Sequence, residues 1–152
     1  MMMLFIQTGC VCCRNLVLLL MQVPWCRAFF LTHFHSDHYG GLCKSWKAGF
    51  VYCSAITGAL VIQRLGVSPS FVRVLPLDRI SLVDGWEITT VRAHHCPGSV
   101  MFQFKQVGSA AGLRYLHTGD MRYDPSMATD PVLIGCREPD VIYLDTTYAR
   151  PQ

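Results

Sequence analysis

Charge is scarce in this 152-residue chain, with only 15% of residues Asp, Glu, Lys or Arg. That is well under the usual quarter or so, which argues against a disordered or polyelectrolyte chain. Acid is missing altogether from the amino-terminal stretch, where Asp37 is the first carboxylate. Lysine is limited to Lys44, Lys47 and Lys105, against ten arginines. Arginine suits bidentate phosphate contacts, but scattered surface arginines account for the pattern equally well. A formal net charge of +3 is too small to point to a nucleic-acid partner unaided. No apolar run approaches the roughly 18 residues of a membrane span. There is no basic cluster of the nuclear-targeting kind, no internal repeat, no linker and no low-complexity tract.

What remains is a hydrophobic chain, 51% apolar, of a length that fits one folded unit. Its eight cysteines do not read as a disulfide framework, because Cys12 and Cys13 are adjacent and the chain is larger than most stapled mini-domains. Cys43, Cys53, Cys96 and Cys136 sit among apolar residues and read as buried thiols in a reducing setting. Cys10, Cys12 and Cys13 read as apolar filler, with no second ligand pair nearby. Residues 1–26 form an atypical apolar leader. Arg14 precedes the apolar stretch Leu16 to Met21, which is short for a signal peptide and lacks a small-residue cleavage site, so a structural or artefactual origin is favoured over secretion.

Beyond residue 26 strands dominate. Buried or half-buried strands are expected at 28–32, 50–54, 71–75, 80–83, 86–94, 100–105, 113–117 and 141–144. Gly108 to Gly112 makes the turn of a hairpin. One helix is expected from the Ser54 cap through about Leu65, ended by Gly66, and a shorter one over 37–47 with Asp37 at its amino end. The pattern is that of an α/β layered domain.

Four of these strands end in a histidine or an aspartate. The first runs into Thr32-His33-Phe34-His35-Ser36-Asp37-His38. His33 and His35, two apart in extended chain, point the same way, and Asp37 and His38 reach a neighbouring point as the chain turns. Chance would give such a cluster in about 5 of 10,000 chains of this composition. Nitrogen and oxygen ligands at that density suit two adjacent metal ions, most naturally zinc. Further on stand His94-His95-Cys96-Pro97-Gly98-Ser99, then Leu116-His117-Thr118-Gly119-Asp120, then Leu144-Asp145-Thr146-Thr147. Each alone has a bland reading, a packed imidazole or a turn-capping acid. Strand ends on one rim converge, so their recurrence places them at one site, with either His94 or His95 as a further ligand.

Taken together, these blocks resemble the metallo-β-lactamase fold, and within it the β-CASP nucleases of DNA cross-link repair, the SNM, Apollo and Artemis group. FLTHFHSDHYGGL, VYCSAIT, HCPGSVMFQF, LHTGDMRYDPSM and YLDTTYARP resemble the group's motifs in order and spacing, over about residues 28 to 151. The SNM-type exonuclease branch is the nearest in form. The resemblance implies an αββα sandwich, of which this chain covers roughly the first half, as a partial domain over residues 27–152. It implies that His33, His35 and His95 bind a first zinc ion, Asp37 and His38 a second, and that Asp120 bridges the two. Asp145 matches an acidic residue near the metals with a hydrogen-bonding or ligand role, and Asp37, Asp120 and Asp145 are the implied catalytic acids. His117 falls on no ligand position. The implied activity is 5′-to-3′ phosphodiester hydrolysis on DNA, single-stranded or with a 5′-phosphate end, in interstrand cross-link and double-strand break repair. It implies a nuclear protein with no membrane partner.

The chain also departs from the pattern. The group carries an aspartate on a strand ahead of the histidine cluster, and none precedes Asp37 here. The β-CASP insertion and the second half of the sandwich are expected to be absent, leaving an exposed apolar sheet face and a second metal site that is incomplete. Two other readings therefore stay open: a hydrolase of the same fold acting on RNA or a small ester or thioester, and a truncated product that binds zinc without cutting.

Overall fold

In the computed structural model, which describes residues 3–7, 10–14, 27–108, 112–136 and 138–147, alternation along one short strand organises the molecule. Strand β3 (Ala28–Phe30) is buried on both faces, as a strand between two packed layers must be. Phe29 and Leu31 turn to one side, against Val51, Cys53 and Val61. Ala28 and Phe30 turn to the other, against Trp86, Ile88, Phe102 and Phe104.

The first sheet has five strands. From the amino-terminal stretch come β1 (Met3–Gln7) and β2 (Cys10–Arg14), an antiparallel pair, with β1 antiparallel to β3. On the other side β4 (Phe50–Cys53) and β5 (Val72–Val74) continue parallel to β3. The apolar stretch Leu16 to Met21 lies outside the described residues. Facing this sheet is a second of five strands: β6 (Ile80–Val83), β7 (Trp86–Arg92), β8 (Val100–Gln106), β9 (Arg114–His117) and β10 (Val141–Tyr143). Its pairs are antiparallel except β9 with β10, which are parallel. The β8–β9 hairpin expected from the sequence is present, with residues 109–111 of its turn outside the described ones.

Aromatic side chains fill the space between the sheets. The Phe30 ring stacks on Tyr52 at 5.1 Å and meets Phe102 and Phe104 edge-on at 5.4 and 5.0 Å, the offset and T-shaped geometries that rings prefer. Helix α1 (Ala55–Leu65) covers the outer face of the first sheet, burying Thr57, Gly58 and Val61. It starts and stops where its local signals dictate: Ser54 Oγ accepts the Thr57 amide, and Gly66, at φ 70°, donates its amide to Ile62. Over the second sheet a 3-10 turn (Pro125–Thr129) and a short helix α2 (Pro131–Gly135) set Met127, Val132 and Leu133 against Val91, Ala93 and Met101. This outer layer is thin. Ile80, Leu82 and Ile142 on the edge strands stay 64%, 74% and 51% exposed. No helix among the described residues is long and apolar enough to cross a membrane.

Two expectations are corrected. Residues 37–47 form no helix but a run of turns, with hydrogen bonds from Tyr39 N to His35 O, Leu42 N to Tyr39 O and Trp46 N to Cys43 O. Gly40 and Gly41 interrupt the run, Gly41 at φ 85°, and glycine pairs carry the highest entropic cost in a helix. Of the four cysteines read as buried, only Cys53 is; Cys43 is exposed, and Cys96 and Cys136 are half-buried. Cys43 falls in those turns beside Lys44 and Ser45, where no apolar layer reaches it.

Candidate metal centre

Strands β7 and β9 both run antiparallel to β8, and β10 runs parallel to β9. Their carboxyl ends therefore lie on one rim of the second sheet. The carboxyl end of β3 reaches the same rim from the first sheet: Thr32 O accepts the Val100 amide at 2.9 Å, and the bare Cα of Gly119 fits against the Thr32 side chain, where a Cβ would come within 2.8 Å. Four strand ends thus deliver their side chains to one place.

His33, fully buried, faces into it. Its Nε2 lies 3.0 Å from His35 Nδ1, which lies 3.3 Å from His95 Nε2. The ligand atoms of His33, His35, His95 and Asp120 all fall within 4.8 Å of one another. The Asp120 carboxylate divides between two groups. Its Oδ2 is 3.6 Å from His33 Nε2 and 3.8 Å from His95 Nε2, while its Oδ1 is 3.4 Å from His38 Nε2. His38 Nε2 in turn is 3.5 Å from Asp37 Oδ2.

Burial pushes the His33 pKa down to about 3, with the neighbouring His38, His35 and His95 acting the same way. The ring is therefore neutral and keeps a lone pair. Its Nδ1 lies 3.0 Å from Thr32 Oγ1, and its Nε2 faces His35, His95 and Asp120; with the ring proton on Nδ1, the lone pair is on Nε2. For Asp37, desolvation pushes the pKa up, but a backbone hydrogen bond and the imidazoles of His38, His33 and His35 outweigh it and hold the carboxylate below its ordinary value. Imidazole nitrogens and carboxylate oxygens converging at these distances are a donor set that fits divalent metal ions.

Asp145 stands beside this group. Its Oδ2 accepts the Met121 amide at 3.1 Å, and its Oδ1 accepts the amide and hydroxyl of Thr147 at 2.9 and 2.6 Å. Those bonds and the nearby His95 hold its pKa below the ordinary range against the upward push of burial. Both oxygens accept hydrogen bonds from the chain. Asp145, Asp120, His95 and Arg122 line a cavity of about 900 Å³ along the rim.

The geometry separates His95 from His94. His94, held at φ 54°, lines a second cavity with Ser54, Ile56 and Leu77. His95 is aimed at the centre by a rigid loop, in which Ser99 Oγ accepts the His95 and Cys96 amides at 3.2 and 3.1 Å. Ser54 Oγ donates to Gly98 O at 2.6 Å, tying that loop to the start of α1.

Sequence reasoning passed over the supporting residues. Thr32 positions His33, Ser99 shapes the His95 loop, and Thr118 Oγ1 accepts the Asp145 amide at 3.0 Å. Only Thr32 sits next to the residue it supports; Ser99 and Thr118 act across four and 27 residues, where no local signal points to them. His117, read as a strand residue near the site, is buried against it. Burial lowers its pKa to about 4, His38 contributing, and its Nδ1 accepts the Gly119 amide at 2.9 Å.

No family model matches the chain. Its fold is that of the metallo-β-lactamases: against a solved B3 metallo-β-lactamase with an active-site glutamic acid it gives a TM-score of 0.55, covering 88% of this chain and 63% of that one at 15% identity. This is a metallo-β-lactamase-fold chain with a histidine–aspartate cluster at the rim of its sandwich. By sequence it is similar to proteins named for DNA cross-link repair and to a 5′ exonuclease. It is 45% identical to the DNA cross-link repair protein SNM1 of Arabidopsis thaliana over 130 residues, 86% of this chain. Identity is 44% over 133 residues, 82% of the chain, with the 5′ exonuclease Apollo of Mus musculus, and 47% over 126 residues, also 82%, with DNA ligase 6 of Arabidopsis thaliana. The chain spans 26%, 24% and 9% of the lengths of these three relatives.

Proposed function

We propose that this chain carries the metal-binding part of a DNA nuclease that hydrolyses phosphodiester bonds, 5′ to 3′, in interstrand cross-link and double-strand break repair. The observation that carries the reading is Asp120, whose two oxygens face separate imidazole groups at 3.4–3.8 Å, the arrangement of a carboxylate shared by two cations. The names of the relatives, cross-link repair proteins and a 5′ exonuclease, support DNA as the substrate. In this reading His33, His35 and His95 would hold one zinc ion, Asp37 and His38 would hold another, and Asp120 could serve both. Such ions would supply an activated water and charge stabilisation for phosphodiester hydrolysis.

The chain's own residues do the rest. Thr32 and Ser99 hold His33 and His95 in orientation, and Asp145 fixes the Met121 amide and the Thr147 side chain on the cavity wall. Arg122 gives that cavity a cation for a backbone phosphate. The preferred substrate is DNA that is single-stranded or carries a 5′-phosphate end, and the working place is the nucleus.

Elemental analysis of the purified protein and of Asp120→Ala tests the metal reading. The expected result is two zinc ions per chain, falling to one or fewer in the variant. Folded protein without zinc overturns it. Degradation of 5′-phosphorylated single-stranded DNA tests the substrate; zinc-loaded protein that leaves DNA intact and turns over a thioester overturns the nuclease reading while sparing the metal site.

A further inference from the structure

The cavity of about 900 Å³ along the rim has a wall that the metal reading does not use. Beside Asp120 and His95 it is lined by Tyr123 and Leu144, 68% and 61% exposed. One exposed aromatic ring is ordinary on a protein surface. This one stands in the cavity of the candidate metal ligands. Among the described residues no ring stacks on it and no hydrogen bond takes its hydroxyl.

The backbone that presents the ring is held on both sides. Met121 donates its amide to Asp145 Oδ2 at 3.1 Å, and Arg122 donates its own to Ala93 O at 2.9 Å. Asp124 then caps the 3-10 turn, its Oδ1 accepting the Ser126 amide at 2.9 Å. A tyrosine has two side-chain torsions to order, so a ring on such a backbone loses little entropy when a flat group covers it. Three chemistries therefore meet in one cavity: metal-ligating nitrogen and oxygen atoms, the Arg122 cation and an uncovered aromatic ring. A phosphodiester answers the first two. A flat heterocycle carried next to that phosphate answers the third, and a nucleotide within a strand has both.

We propose that Tyr123 is the base-stacking residue of the site, taking the face of one nucleobase next to the phosphate at the metal centre. The inference rests on the nuclease reading above and adds to it how the strand is recognised. In a duplex the base faces are covered by their neighbours and the edges are paired. Only an unpaired base turned out of the stack can lie on Tyr123, so single strands are preferred. Every base has a face, so the contact selects the form of the strand and not its sequence.

Fluorescence anisotropy with a nuclease-resistant phosphorothioate single strand, on the zinc-loaded full chain, tests this without relying on turnover. Tyr123→Ala is expected to weaken binding about 5- to 150-fold, the range for one stacked base, with zinc content unchanged. Tyr123→Phe keeps the ring and is expected to bind like the wild type. An abasic strand of the same length has phosphates but no bases, and is expected to bind wild type and Tyr123→Ala alike. Equal affinity of Tyr123→Ala and wild type for the ordinary strand overturns the proposal and leaves the nuclease reading standing. So does a loss that Tyr123→Phe shares, or that the abasic strand shows to the same extent, since hydroxyl or phosphate contacts then account for it. A wild-type protein that binds no strand overturns both. Should Tyr123→Ala fail to fold, the Tyr123 ring resonances of the wild type decide. An upfield shift with the ordinary strand and none with the abasic one supports the proposal, and no shift with either overturns it.

Discussion

Cysteine shows at the scale of one residue how far environment outweighs identity. Burial under α1 pushes the Cys53 thiol up to about 12, so no thiolate forms there in the folded protein at ordinary pH. Cys43 is exposed, and the side-chain and backbone hydrogen bonds from Ser45 hold its pKa below the ordinary thiol value. Since the thiolate is the nucleophile, iodoacetamide at pH 8 is expected to modify Cys43 ahead of Cys53, Cys96 and Cys136, and Cys53 only after denaturation. Peptide mapping by mass spectrometry checks this, and early labelling of Cys53 contradicts the packing described. His33 obeys the same rule with the opposite use. Burial among imidazoles keeps it neutral, and a neutral imidazole is the form that ligates.

At the scale of the element, local chemistry was legible where it acts locally. The limits of α1 follow from Ser54 and Gly66 because a cap is a contact within one turn. The run 37–47 was misread because an acid at a helix start is a weak preference, and the Gly40–Gly41 pair costs more than it returns. Ser54 has a second task that no local signal reveals: its hydroxyl ties Gly98 O, and with it the loop that aims His95. Ser54→Ala is therefore expected to cost about 1–2 kcal/mol through the lost cap, measured by urea unfolding. A loss under a few tenths of a kcal/mol would show that neither bond matters.

For the whole molecule, the two sheets stand or fall with the aromatic layer between them. Phe30, fully buried, touches Tyr52 in its own sheet and Phe102 and Phe104 in the other. Phe30→Ala is expected to cost about 3–5 kcal/mol, the range for a buried phenylalanine that leaves a cavity, by urea or thermal unfolding. Because β3 leads directly into His33 and His35, zinc content is expected to fall with stability. A variant losing under 1 kcal/mol would mean that the sheets pack elsewhere.

The sequence by itself determined the eight strands beyond residue 26, though not β1 and β2, and that four of the eight end in histidine or aspartate, because alternation and turn residues act over a few positions. It brought His33, His35, Asp37 and His38 together, since residues so close in the chain cannot be far apart. Only the tertiary structure decided that His95 rather than His94 joins them, that both oxygens of Asp145 are engaged by Met121 and Thr147, and that His117 is buried with its Nδ1 on the Gly119 amide. Those outcomes depend on the register of strands tens of residues apart and on one glycine set against Thr32. No local preference carries that information, because it arises only when two sheets meet on a shared rim.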